Sequence, residues 1–141
     1  MKNVFVVILL VVSAFSYGRN PQKELEKKII GTWCNPYTYE YSGELKGFTF
    51  KKGGKCEAVN VPSLDLKSWE IKDGALIIKG FMTGENGEKE EYETVERILK
   101  LNDDTLRVVS KESSPRVTFM YMNTKVIKER ITPQVQERKE K

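Results

Sequence analysis

The chain has 141 residues, 24 Lys and Arg against 20 Asp and Glu, two cysteines and no histidine. The absence of histidine excludes Ser-His-Asp and Cys-His nucleophile pairs, histidine zinc sites and histidine general bases, and two cysteines cannot build a four-cysteine metal site. The excess positive charge sits in residues 124–141, where six bases meet three acids, so the pI near 9.0 belongs to the tail and the balanced body lacks the basic face that nucleic-acid binding requires.

Lys2 followed by the apolar run Val4–Val12 and the small residues Ser13, Ala14 and Ser16 has the layout of a cleaved secretory signal peptide. The expected leader is residues 1–16, with a cut two residues further on as the alternative. The run is too short for a membrane span, and no cysteine stands at either cut to carry a lipid anchor. A periplasmic or secreted protein follows, with one domain at 17–123 and a charged, solvated C-terminal tail at 124–141.

Asn20-Pro21 caps and opens a short helix ended by Gly31, with Leu25 and Ile29 on one stripe. From there to Asn123 the pattern alternates. Gly31–Tyr41 reads as a first strand with Tyr37, Tyr39 and Tyr41 on one side, either an aromatic cross-strand stripe or a recognition rim. Gly53-Gly54 is a two-residue hairpin loop that sets Phe50 opposite Glu57 and Phe48 opposite Val59, and so places Cys56 outside. Asp73-Gly74 sets Trp69 opposite Ile78 and Ile71 opposite Leu76.

A loop around Glu85-Asn86-Gly87 leads into a strand from about Glu91 to Leu101. Its acids Glu91, Glu93 and Glu96, with Glu88 and Glu90 before them, read as a solvated outer face. Asp103-Asp104 then places Leu101 opposite Leu106 and Leu99 opposite Val108. After Ser113-Ser114-Pro115 a last strand, Arg116–Met122, is apolar on both sides. Eight strands joined by short turns favour an all-β, antiparallel up-and-down barrel after a short N-terminal helix. A two-sheet sandwich is the rival.

Gly31-Thr32-Trp33 at the switch from helix to first strand, followed by a run of hairpins, resembles the lipocalins and more closely the small bacterial lipocalin-like domains. The resemblance implies that Trp33 plugs the closed end of the barrel, with Arg116 or Arg130 as the arginine packed across it. The T-D-Y signature of the family is missing. Its C-terminal helix is poorly formed here, since Pro133 interrupts Ile127, Ile131 and Val135.

The residues expected to point inward are Phe48, Phe50, Val59, Trp69, Ile71, Ile78, Leu99 and Val108, the candidate wall of a pocket for a small apolar or amphipathic ligand. A barrel of this size is either filled by such side chains or left with room for one small ligand; a filled or shallow interior is favoured. Cys34 and Cys56 are the expected disulfide of an exported chain. Both point outward in these registers, but one strand lies between theirs, ~9.6 Å in all. The bond therefore needs Asn35-Pro36 to bend Cys34 off the ladder.

No nucleophile, base or metal motif is present, so the expectation is a monomeric non-enzyme without cofactor. Its expected partner is a small hydrophobic ligand, or alternatively a protein held by loops and tail.

Overall fold

The computed structural model describes residues 20–112 and 115–140. The signal-peptide reading and the Ser113-Ser114 part of the last turn lie outside the described residues.

Helix α1 (Pro21–Lys28) starts where Asn20 accepts a hydrogen bond from the Gln22 amide, 3.1 Å, and Pro21 occupies the first turn. Strands β1 (Gly31–Cys34), β2 (Gly47–Lys51), β3 (Lys55–Val59), β4 (Leu64–Lys72), β5 (Ala75–Thr83), β6 (Lys89–Leu101), β7 (Thr105–Ser110) and β8 (Thr118–Asn123) follow in chain order. They form one closed barrel in which each strand pairs antiparallel with the next. Closure comes from Trp33 and Cys34 of β1 pairing with Asn123 and Met122 of β8. The expected up-and-down barrel is therefore the fold, and the sandwich is excluded.

The Asp73-Gly74 hairpin has the expected register, Trp69 with Ile78 and Ile71 with Leu76. Asp73 and Gly74 both adopt positive φ, 51° and 74°, as a turn matched to strand twist demands.

Two other registers differ. Phe50 pairs with Cys56 rather than Glu57, because the loop after β2 uses three residues, Lys52, Gly53 and Gly54. A one-residue slip reverses every side chain of a strand. Cys56 and Ala58 thus turn inward, and Val59 leaves the inner face. In β6 a bulge between Ile98 and Lys100 inserts Leu99 as an extra residue. Ile98 takes the place opposite Val108, and Leu99 is left 47% exposed.

The first strand is shorter than expected. Asn35 caps a helix, α2 (Pro36–Ser42), by accepting from the Tyr37 and Thr38 amides at 2.9 and 3.1 Å, and Gly43 ends it at φ 76°. The three tyrosines are thus no strand stripe: Tyr37 and Tyr41 are exposed, while Tyr39 Oη shares a 2.8 Å hydrogen bond with Thr132 Oγ1.

The expected solvated tail is also ordered. It forms α3 (Thr124–Arg130), which buries Val126 and Ile127, and α4 (Thr132–Glu140). Pro133 sits in the first turn of α4, where its missing amide breaks no hydrogen bond.

Cys34 and Cys56 are both free and buried, so the expected disulfide is absent. The register slip explains it. Cys56 joins the core inside the barrel, whereas Cys34, next to the inward Trp33, lies on the outer face of β1 against which α3 packs. Burial raises the thiol of Cys34 to about 11 and that of Cys56 to about 12, the latter helped by Glu57.

Candidate ligand-binding site

The barrel interior divides along its axis. At the end covered by α1, Trp33 is 1% exposed and donates from Nε1 to the Ile29 carbonyl at 2.8 Å. Phe50 and Trp69 meet edge-to-face at 5.9 Å, and Trp69 Nε1 donates to the Lys51 carbonyl at 2.9 Å. Ile71, Leu76, Ile78, Leu106 and Val108 fill the space around them. Burying these side chains contributes about 1.5–3 kcal/mol each before entropy. Neither arginine considered for Trp33 is seen on it: Arg130 pairs with Asp104 at 3.2 Å and Arg116 is exposed.

The opposite end is less completely filled. A cavity of about 290 Å³ opens there, walled by Phe48, Phe119 and Tyr121, with Tyr92, Thr94 and Glu96 on β6. Phe48 packs edge-to-face on Tyr121 at 5.4 Å. Ser110 and Glu112 complete the polar side, and among the described residues no lysine or arginine lines the cavity.

Its chemistry centres on Glu96. This side chain is only 7% exposed and forms no salt bridge or hydrogen bond among the described residues. Its cross-strand neighbours are Leu76 and Ser110. Burial pushes its carboxyl up to about 7, so it changes charge near neutrality. Burial and then the Glu96 charge also raise the phenols of Tyr92 and Tyr121. The Thr94 hydroxyl is enclosed without a well-formed hydrogen bond, though it lies close enough to Tyr92 to ease that phenol's ionisation. Buried polar groups left in this state are costly.

Of the residues expected to point inward, Phe48, Phe50, Trp69, Ile71, Ile78 and Val108 do so; Val59 and Leu99 do not. Only Phe48 of the eight lines the cavity. Tyr92, Thr94, Glu96 and Phe119 are the residues that sequence reasoning missed. The signal for them was a conflict of phase along β6. Counting from Ile78 through the Glu85–Gly87 turn puts even-numbered residues inside, and counting back from Asp103-Asp104 puts odd-numbered ones inside. Only a bulge satisfies both, and it is what brings Glu96 in.

A larger hollow of about 740 Å³ lies between α1 and the Lys52–Gly54 loop, bordered by Lys23, Lys27 and Glu70. Those charged groups are exposed, so it lacks the buried polar group that distinguishes the Glu96 cavity.

The lipocalin-like family model matches residues 25–124, and the chain belongs to that family. The crystal structure of a lipocalin-like protein from Bacteroides thetaiotaomicron is similar, with a TM-score of 0.58 and 26% identity over 67% of this chain and 95% of that one. No curated protein matches the sequence. The barrel is thus a fold suited to ligand binding. No helix among the described residues is long and apolar enough to cross a membrane.

Proposed function

We propose that the protein is an exported, non-catalytic binder that takes one small apolar or amphipathic ligand in the Glu96 cavity. The observation that carries this reading is the combination of aromatic walls with a buried, unpaired carboxyl at one end of an otherwise packed barrel. Concave apolar sites with a few convergent polar groups are the usual form of small-molecule sites. At about 290 Å³ the cavity is at the lower limit of such sites, which favours a small ligand. The family is generally a binding rather than a catalytic fold, and the sequence offers no histidine for acid–base work. Export is supported by Lys2 and the Val4–Val12 run.

Native mass spectrometry of the protein purified from its source tests both parts. A mature chain starting near residue 17 with a co-purifying small molecule is expected. A chain retaining Met1 overturns export; a cavity that stays empty in the native protein and takes up no small amphiphile in titration overturns the binding role.

A second reading, docking of another protein by a monomeric barrel, has Tyr37 and Tyr41 in its favour, two exposed aromatics one turn apart on α2. Loss of a pulled-down partner on replacing both with serine would support it.

A further inference from the structure

The reading of the Glu96 cavity as a ligand site leaves the chemical class of the ligand open, and the residues around Glu96 narrow it. We infer that the ligand is a small amphipathic amine whose protonated nitrogen pairs with the Glu96 carboxylate while its apolar body lies against Phe48 and Phe119.

The inference rests on the binding role just proposed and goes one step beyond it. Every element facing Glu96 offers a neutral or acidic group. Its own strand presents Tyr92 and Thr94, β7 presents Ser110 and the segment after it Glu112, β8 presents Tyr121 and Phe119, β5 presents Leu76, and β3 adds Cys56 near Tyr92. The described residues supply no cation for Glu96, a residue only 7% exposed. A buried charge is normally paired or hydrogen-bonded, so the missing partner is one the ligand can bring. An anionic head group would meet two carboxylates, Glu96 and Glu112, with nothing to offset them. A neutral hydroxyl can accept or donate one hydrogen bond here but gains no charge assistance. An ammonium gains it from Glu96 and can spare further N–H donors for the enclosed Thr94 hydroxyl and Ser110.

Three probes of equal chain length separate these cases: octylamine, octanol and octanoate, titrated calorimetrically into the mature full-length protein at pH 8. Octylamine is expected to bind about tenfold more tightly than octanol, the size of one charge-assisted hydrogen bond, with octanoate weakest. Glu96→Gln is expected to abolish that preference, so that octylamine binds no tighter than octanol, and a cooperative urea-unfolding transition shows that the variant is folded. Below the Glu96 value of about 7 the carboxyl is neutral, so lowering the pH to 5.5 is expected to weaken octylamine about tenfold and octanol hardly at all.

If octanol binds but octylamine binds no tighter, or if the preference survives Glu96→Gln, the amine assignment is wrong and the ligand site stands. If none of the three binds, the site and the assignment fall together.

Discussion

The two ends of the barrel are built from the same alternating strands and do opposite things. At the α1 end, Trp33, Phe50, Trp69, Leu76 and Leu106 close on one another with every indole N–H bonded to a backbone carbonyl. At the far end, β6 and β8 carry Thr94, Glu96 and Tyr121 around a cavity, with the Glu96 carboxyl unpaired among the described residues and the Thr94 hydroxyl enclosed without a partner. The contrast shows how a barrel of this size can hold stability at one end and a strained, polar recess at the other. The packed end supports the cost of the recess, as unsatisfied buried groups persist only where surrounding structure over-determines them.

The sharpest way to break the comparison is at the packed end. Trp33→Ala removes the largest fully buried side chain and orphans the Ile29 carbonyl; a loss of about 4 kcal/mol is expected by urea unfolding. Phe119→Ala, at the open end and already part-exposed, is expected to cost under about 1 kcal/mol in the same assay while weakening ligand uptake. Equal losses would remove the distinction between the ends.

Gly47→Ala comes next. A Cβ there would collide with the Trp33 carbonyl and stand 2.7 Å from the Cys34 Cα, so β1 and β2 must separate. A loss of about 3 kcal/mol is expected.

Glu96→Gln acts in the other direction. The folded carboxyl sits at about 7, above its ordinary 4.5. The protonated form therefore favours the folded state, and this contribution is fully present below pH 4.5 and lost as pH rises through 7. Relative to the variant, the native protein is expected to lose about 3 kcal/mol between pH 4.5 and 8, measured as the difference between two urea-derived stability curves. A flat difference would place Glu96 in water.

The smallest effect separates the cysteines. Because Cys34 and Cys56 lie on opposite faces of the sheet and are unbonded, reductant is expected to leave the melting temperature unchanged, and two thiols should titrate once the chain is denatured. A fall in Tm on reduction would restore the bond.

Helix α2 shows why some of this was hidden from sequence reading. Asn35-Pro36 repeats the Asn20-Pro21 signal that correctly opens α1, and Gly43 stops the helix as Gly31 follows α1. The alternating tyrosines outweighed the cap, although Tyr37 and Tyr41 at i and i+4 also share one helical face.

By itself the sequence determined the strand count, the order of hairpins and the Asp73-Gly74 register, because turn residues and period-two patterning act locally; the place of Trp33 at the helix-covered end came from the family resemblance. Only the closed barrel decided the rest. Whether the loop after β2 used two residues or three, and whether β6 carried a bulge, depended on how each strand met its neighbours around the ring. Each such choice shifts a strand by one residue and exchanges its faces, and through those two shifts Cys56 and Glu96 came to lie inside.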